Sequence, residues 1–369
     1  MPHHLFAETL LCPGLDCTFQ WRYQNDGHYL LELIDDESPV YGALSQSIDR
    51  FEHTVFELAI NKPTLIEWAN SQNTLQDTAD RRELRLGGAH VFQQSIELFQ
   101  GMQMMTDREE NPERLSLIHQ SIGDVMGFIG QRSGSIHFLE QAAMSYEQAL
   151  EIRTEEHTPL QWARTRINLG IVMHTIGQLE NDNRMSKQGL ESLKQGINLL
   201  PRDTAPAEWS AAMCQVAVIL CELGTQRRGA RTLEQALVAF RNALAERSKD
   251  SNEICWAITQ SNLAATLQAI GIHEEDIGSL ESAIPIYDEV LKVLTRDTVP
   301  LIWVIVSANR ASALCALAGE SDYLDMAENS AGEFEALHSL LLETDYSDLL
   351  RKAEQGKDSA SELARSLQV

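Results

Sequence analysis

The chain has few basic residues for its size. Its 369 residues include 29 lysines and arginines against 54 aspartates and glutamates, which gives a formal net charge of -25. A field of this sign repels the phosphate backbone of nucleic acids and anionic lipid headgroups. The composition therefore predicts a protein that binds neither nucleic acid nor membrane surfaces.

The sequence also lacks the local patterns that mark common enzymes and exported proteins. It contains no glycine-rich phosphate loop, no histidine–glutamate zinc helix and no nucleophile elbow. We therefore expect neither catalysis nor a cofactor. The first residues, Met1 to Glu8, lack a basic region followed by an apolar run, which argues against a secretory signal and favours a cytoplasmic protein.

Cysteine is scarce, and most of it falls in predicted helices. Four of the six cysteines lie there: Cys214, Cys221, Cys255 and Cys315. This distribution is typical of thiols in a reducing compartment. The other two, Cys12 and Cys17, follow His3 and His4, but their spacing matches no common zinc pattern, so we predict no metal site there.

Tryptophan is rare as well, yet five of the six tryptophans fall on one series with a step of 47 residues: Trp68, Trp162, Trp209, Trp256 and Trp303. Leu115 fills the one vacancy. A spacing kept without insertions means that each unit packs on its neighbours in the same way. The series predicts one array of six repeats over residues 63–344, with the tryptophans packed between repeats. An aromatic cage for a ligand is the alternative role.

Each unit shows the pattern of a helical hairpin. Its first helix begins at a capping residue followed by proline, as in Asn111-Pro112 and Thr158-Pro159. A second apolar-periodic stretch follows, in which a large residue such as Tyr146 is expected to face a small residue of the first helix, such as Gly123. We expect the first helix to end after about five turns at a glycine in the left-handed conformation. The glycines concerned are Gly130, Gly177, Gly224 and Gly271.

These residues resemble the tetratricopeptide repeat family. The resemblance rests on Asn168-Leu169-Gly170 in the first helix and on a small residue such as Ala142 or Ala236 in the second, with an aromatic residue four places on. The unit is longer than the family's usual length of about 34 residues and is similar to extended bacterial arrays. The resemblance implies an all-α, right-handed α-solenoid of helix-turn-helix repeats that binds a protein or peptide segment in its concave groove.

One column of the repeat is polar in all six units, six residues after each tryptophan position: Thr74, Ser121, Asn168, Gln215, Asn262 and Asn309. The resemblance implies that this column faces the concave groove, where an amide can both donate to and accept from a bound main chain. Together with Arg164, the column is the candidate peptide-binding site. Acidic neighbours such as Asp124 favour a neutral or basic segment. The alternative is that these side chains satisfy nearby backbone groups or contact water.

The expected function is therefore that of a non-catalytic scaffold or adaptor. A second hypothesis is a regulatory sensor, in which a small ligand or a signalling peptide changes the superhelix and so controls a partner protein. Self-association into a homo-oligomer through an uncovered end of the array is compatible with both hypotheses.

Three segments flank the array. Residues 1–37 contain Asn25-Asp26-Gly27 between two β-rich stretches, which predicts a small hairpin that lies on the array or on a partner. Residues 38–62 match the phase of a second helix and predict a capping half-repeat. Residues 345–369 are polar and predict a short or frayed helix or a tail.

One position inside the array breaks the repeat pattern. Arg310 occupies a slot that is apolar in the other five units. Because an unpaired buried charge is costly, we expect either that the last unit leaves this slot open or that a carboxylate such as Asp325 or Glu328 pairs with Arg310.

Overall fold

The computed structural model describes residues 20–23, 29–32, 101, 103–104, 106–250, 253–296, 300–342 and 347–368. Over this part of the chain the protein is helical apart from two short strands, and successive helices pack in series, which confirms the expected all-α character. The helices are α1 (Pro112–Ser133), α2 (Ile136–Leu150), α3 (Pro159–Glu180), α4 (Asn183–Ile197), α5 (Pro206–Arg227), α6 (Ala230–Glu246), α7 (Glu253–Glu274), α8 (Ile277–Val290), α9 (Pro300–Ser321), α10 (Leu324–Leu341) and α11 (Ser347–Leu367).

The two strands lie near the amino terminus. β1 (Gln20–Tyr23) and β2 (Tyr29–Glu32) pair antiparallel, with Trp21 opposite Leu31 and Tyr23 opposite Tyr29. The predicted turn at residues 25–27, the capping half-repeat at residues 38–62 and most of the first repeat lie outside the described residues.

The chain divides into two compact units. The central unit comprises residues 36–205 and contains helices α1 to α4. The terminal unit comprises residues 1–35 together with residues 206–369, and it contains both strands and helices α5 to α11.

The helices keep the period of the tryptophan series. The first helices α1, α3, α5, α7 and α9 are each 22 residues long and begin at residues 112, 159, 206, 253 and 300. Asn111 and Thr158 are the N-cap residues of α1 and α3, as expected, but neither side chain makes a capping hydrogen bond. The proline at the first turn, which needs no amide donor, therefore marks the start of these two helices.

The first helices end four residues later than the glycines predict. Residues with positive φ follow them at the same interval of 47 residues: Gly134, Asn181, Arg228, Glu275 and Asp322. The prediction that the earlier glycines end the helix is wrong, because those glycines lie inside the helix and permit close packing. A Cβ atom on Gly130 would lie 2.7 Å from the side chain of Leu139, and one on Gly177 would lie 2.5 Å from that of Ser186.

The packing of a large residue on a small one is confirmed in the hairpin of α1 and α2. A Cβ atom on Gly123 would lie 2.6 Å from the ring of Tyr146, which is buried. In the next hairpin α3 and α4 cross through Gly170 and Gly189, and a Cβ atom on either glycine would lie 2.5 Å from the carbonyl oxygen of the other. The large residues of the later second helices, Phe240, Tyr287 and Phe334, are fully buried.

The carboxyl-terminal segment forms a full helix of 21 residues, α11, where the sequence predicts a short or frayed one. A row of small buried residues lies along it: Ala353, Gly356, Ala360 and Ala364. A Cβ atom on Gly356 would lie 2.5 Å from the ring of Phe334 in α10. The small residues let α11 pack closely on α10 and cover the end of the last hairpin, while the polar side of α11 remains exposed.

Two helices of the described region are long and apolar enough to cross a membrane, residues 206–227 and residues 302–321. The protein itself buries 72% and 67% of their most apolar windows. Core helices of soluble proteins have the same properties, so these helices are weak evidence for a membrane span and are compatible with a soluble protein.

Candidate functional site

In the central unit, the face that carries the predicted polar column is polar and partly exposed. We call the side of α1, α3, α5, α7 and α9 that bears this column the first-helix face. On α1 it includes Ser121, which is half-buried, and Asp124, which is exposed. On α3 it includes Arg164, which is exposed, and Asn168, which is half-buried. Because α1 and α3 contact each other, these four residues form one continuous surface.

Asp124 connects three helices of this surface. Its Oδ1 atom accepts hydrogen bonds from Tyr146 on α2 at 2.8 Å, from Asn168 Nδ2 on α3 at 3.0 Å and from Gln120 Nε2 on α1 at 2.8 Å. We call these four residues the Asp124 cluster. The cluster holds an exposed carboxylate in place and turns the amide of Asn168 toward it, so a ligand at Asn168 would also meet a negative charge.

A buried arginine lies behind the cluster. The side chain of Arg153 is 7% exposed. Its Nε atom donates to Ser116 Oγ at 3.2 Å, and Nη1 donates to Gln120 Oε1 at 3.0 Å and to Thr165 Oγ1 at 2.8 Å. Gln120 therefore connects the guanidinium of Arg153 to the carboxylate of Asp124.

No carboxylate pairs directly with Arg153 among the residues that the structure describes. Burial lowers the pKa of Arg153 from its ordinary value, the negative charge of Asp124 opposes this shift, and Arg164 adds to it. Hydroxyl and amide oxygens thus stabilise this buried charge, which is a weaker arrangement than an ion pair.

The terminal unit contains the same arginine arrangement. Arg247 is 9% exposed, and its Nε and Nη1 atoms donate to Ser210 Oγ at 3.1 Å and Thr259 Oγ1 at 3.0 Å. All three residues lie 94 residues, or two repeats, after Ser116, Arg153 and Thr165. We call each set of three equivalent residues a junction. The next two junctions are apolar and buried: Ala257, Leu294 and Val306, then Val304, Leu341 and Ala353.

On the first-helix face of the terminal unit, the predicted site residues are buried. Gln215 is 4% exposed, and Asn262 and Asn309 have no exposed surface. Contacting helices bring the three together, since α7 contacts both α5 and α9. Because the protein itself buries these amides, a ligand could reach them only after a conformational change.

Other polar side chains of the terminal unit form a buried chain of hydrogen bonds. Gln268 Nε2 donates to Ser312 Oγ at 2.9 Å, and the hydroxyl of Tyr287 donates to Gln268 Oε1 at 3.0 Å. This chain links α7, α8 and α9 inside the unit, so it stabilises the packing of these helices.

The structure thus brings together Ser121, Arg164 and Asn168 in the central unit and Gln215, Asn262 and Asn309 in the terminal unit, while Thr74 lies outside the described residues. The sequence interpretation missed the hydrogen-bonding roles of Gln120, Tyr146 and Arg153. An alignment of repeats two units apart would have revealed the arginines, because Arg153 and Arg247 share their position with matching serines and threonines.

The interpretation of Arg310 named the wrong partners. Arg310 is half-buried and pairs with Asp288 on α8 and Glu333 on α10, not with Asp325 or Glu328. These two acidic pairs raise its pKa and outweigh the opposing effect of burial. Arg310 therefore links two second helices through their carboxylates.

The tryptophans of the described repeats, Trp162, Trp209, Trp256 and Trp303, are all half-buried. The guanidinium of Arg166 lies 5.1 Å from the centre of the Trp162 ring, and the ammonium of Lys249 lies 5.3 Å from that of Trp256. Trp303 packs against the core formed by α9, α10 and α11. The rings of Trp162 and Trp256 thus combine partial burial with a face that a cation covers.

The described part of the chain contains no group of three or more histidine, cysteine, aspartate or glutamate side chains that could hold a metal ion. Cys12 and Cys17 lie outside it. No protein-family model matches the chain, and no curated protein sequence matches it.

Proposed function

We propose that the protein is a non-catalytic scaffold or adaptor of the tetratricopeptide-like kind, which binds a protein or peptide segment on its first-helix face. The observation that supports this proposal most directly is the Asp124 cluster. It presents a carboxylate and an amide, held by hydrogen bonds, on adjacent helices at the surface of the central unit.

The chemistry of this surface favours a neutral or basic segment with some apolar character. Asp124 supplies negative charge, and the amide of Asn168 can bind main-chain groups. Leu117, one helical turn before Ser121 on the same face, is 37% exposed and offers apolar contact. The net charge of -25 would attract basic partners at long range.

The test is a selection of random displayed peptides on the immobilised full-length protein, followed by fluorescence anisotropy with the enriched peptides. We expect neutral or basic peptides. Asp124→Asn combined with Asn168→Ala should weaken their binding several-fold, since each lost hydrogen bond has a net value of about 0.5–1.5 kcal/mol.

Glu140→Gln provides the matched control, because Glu140 is an exposed carboxylate on the second helix α2. It removes the same charge from the central unit without touching the first-helix face. Equal weakening by Glu140→Gln would show that net charge alone attracts the peptides and would reject the Asp124 cluster as the site.

A further inference from the structure

The guanidinium of Arg247 is buried in the terminal unit without a counter-charge. The side chain is 9% exposed, and no carboxylate pairs with it within the described part of the chain. Burial lowers the pKa of Arg247, and among the described groups the charge of the half-buried Cys255 thiol opposes this shift. Burial raises the pKa of Cys255 in turn, so this thiol is uncharged near neutral pH. The described surroundings of Arg247 therefore do not offset its positive charge.

The hydrogen bonds of Arg247 are also incomplete. Ser210 Oγ donates to the carbonyl oxygen of Ala207 at 2.9 Å and Thr259 Oγ1 donates to that of Cys255 at 2.7 Å, so each hydroxyl serves Arg247 as an acceptor. Nε and Nη1 use two of the five N–H groups of the guanidinium on these hydroxyls, and the other three have no partner among the described residues. Nη2 is not fully enclosed, so it faces solvent.

The equivalent arginine of the central unit has more support. Nη1 of Arg153 donates to Gln120 Oε1 in addition to a threonine hydroxyl, and the negative charge of Asp124 opposes the lowering of its pKa. Two repeats later, Cys214 and Val218 occupy the positions of Gln120 and Asp124, and both are buried. Sulfur accepts hydrogen bonds only weakly, and an alkyl group accepts none. The terminal unit thus has the buried arginine without the two groups that support it in the central unit.

We propose that Arg247 binds a carboxylate ligand, which accepts hydrogen bonds from its unused N–H groups and supplies the missing negative charge. The two oxygens of a carboxylate match the spacing of N–H groups along an edge of a guanidinium. Water can accept the same hydrogen bonds, but it carries no charge to offset that of the arginine. Because most of the Arg247 side chain lies below the surface, the ligand is a small carboxylate or a carboxylate at the end of a narrow side chain.

The charge of the whole protein acts against this ligand only at long range. The net charge of -25 repels anions, but salt at 0.1 M screens exposed charges beyond about 10 Å. Pairing with Arg247 takes place at contact and in a mostly buried position, where screening is weak. Binding should therefore be measured at a constant ionic strength of at least this order.

The experiment measures the line width of carbon-13-labelled acetate in the presence of the full-length protein. We expect the wild-type protein to broaden the signal, because acetate exchanges with the site. The variant Ser210→Ala, Arg247→Leu and Thr259→Val should abolish this broadening. It reproduces the apolar junction of the next repeat, so we expect it to fold.

The matched control makes the equivalent changes in the central unit: Ser116→Ala, Arg153→Leu and Thr165→Val. It removes the same charge and the same hydroxyls, and it should retain the broadening, since Arg247 is unchanged. Equal broadening by the variant that lacks Arg247, or no broadening by the wild-type protein, would overturn the proposal.

Thermal unfolding provides a second measurement on the same proteins. Acetate that replaces chloride at constant ionic strength should raise the unfolding midpoint of the wild-type protein by about 3 °C or more, once it exceeds its dissociation constant about tenfold. The variant that lacks Arg247 should show no such rise. An equal rise in both proteins would show that acetate acts elsewhere and would refute the site.

A third variant keeps the proposal testable even if replacement of the Arg247 junction prevents folding. Gln120→Ala with Asp124→Val gives Arg153 apolar neighbours like those of Arg247 and leaves the terminal unit intact. It should add a second acetate site and so increase the broadening about twofold. Unchanged broadening would contradict the argument that these two positions decide whether a buried arginine takes a ligand.

The source of the carboxylate is distinguished by a second probe, the amide of N-acetylglutamate, which carries one carboxylate on a side chain. Tighter binding of this probe than of acetate would indicate an acidic side chain of a partner, and weaker binding would indicate a small free carboxylate. Both probes should lose binding when Arg247 is replaced. The peptide test of Asp124 and Asn168 concerns the other unit, so the two proposals can fail separately.

Discussion

The first-helix faces of the two units carry the same polar column in different surroundings. Asn168 in the central unit is half-exposed and donates to Asp124, whereas Asn262 and Asn309 in the terminal unit have no exposed surface. The repeat period places these side chains at equivalent positions of their helices. What packs against that position decides whether the side chain can meet a ligand.

The arginine junctions, in contrast, have equivalent serine and threonine partners in both units. Arg153 and Arg247 donate to equivalent serine and threonine hydroxyls, while the two junctions that follow Arg247 are apolar. A polar set and an apolar set of residues thus occupy the same three positions of the repeat. Each set is chemically compatible, because a buried guanidinium needs hydrogen-bond acceptors and an alkyl side chain does not.

The largest predicted effect comes from mixing the two kinds of junction. Ser210→Ala with Thr259→Val removes both acceptors of Arg247 and should lower the free energy of unfolding by about 3 kcal/mol or more, since hydrogen bonds to charged groups contribute about 1.5–3 kcal/mol each. Urea denaturation followed by circular dichroism measures the change.

The matched control replaces the whole junction. Adding Arg247→Leu to these two changes reproduces the residues Ala257, Leu294 and Val306 of the next repeat and should recover most of the lost stability, because no buried charge remains. A triple variant less stable than the double variant would show that the junctions are not interchangeable.

A smaller effect is expected where the central unit packs more closely than the terminal unit. Gly170→Ala and Gly189→Ala introduce the alanines found at the equivalent positions 217 and 236. Each new Cβ atom would lie 2.5 Å from a carbonyl oxygen, so we expect each change to destabilise the protein by about 1–3 kcal/mol through overpacking.

Gly332→Ala in α10 is the control for this pair, because a Cβ atom there meets nothing within 4 Å. It should raise stability by about 0.5–1 kcal/mol, as alanine does in place of a glycine inside a helix. Thermal unfolding measures all three variants. Destabilisation by Gly332→Ala as well would show that the loss at Gly170 and Gly189 does not come from the close crossing.

Tryptophan truncation compares the repeats directly. Full burial would predict a loss of about 3–5 kcal/mol for Trp162→Ala or Trp256→Ala, but both rings are half-buried, so we expect roughly half of that. The two losses should be similar, because each ring carries a cation. An unchanged unfolding midpoint in both variants would contradict the packing role and favour the ligand cage.

The smallest expected effect concerns the equivalent asparagines of the two units. Asn168→Ala should change the free energy of unfolding by less than about 1 kcal/mol, since its partly exposed bond to Asp124 can be replaced by water. Asn262→Ala should lower the free energy of unfolding by about 1–3 kcal/mol, because the buried groups that bond to the amide would lose their hydrogen-bond partner. Equal effects in denaturant titrations would show that the two asparagines lie in equivalent surroundings.

Much of the fold could be predicted because the period of 47 residues appears in the sequence. Helix starts at Pro112 and Pro159 and the packing of Tyr146 on Gly123 follow from local rules of capping and residue size. The ends of the first helices could not be predicted from Gly130 and Gly177, because a glycine supports both a left-handed turn and a close crossing of helices. Only the position of the second helix distinguishes the two.

The candidate site was predicted in part. The polar column led to Asn168 and its neighbour Arg164, but the hydrogen bonds of Asp124 with Tyr146 and Gln120 depend on how three helices meet. The partners of Arg310 illustrate the same limit: Asp288 and Glu333 lie on different helices, and their distance along the chain carries no signal of contact.

Helical character, the period of the repeat and the positions that pack as large on small were already present in the amino-acid sequence, because they depend on side-chain size and on residues close together in the chain. Tertiary structure decided which amides are buried, which glycines lie at helix crossings and how a polar carboxyl-terminal segment docks as a helix. These properties depend on the surface that each residue meets, and residues far apart in the sequence supply that surface.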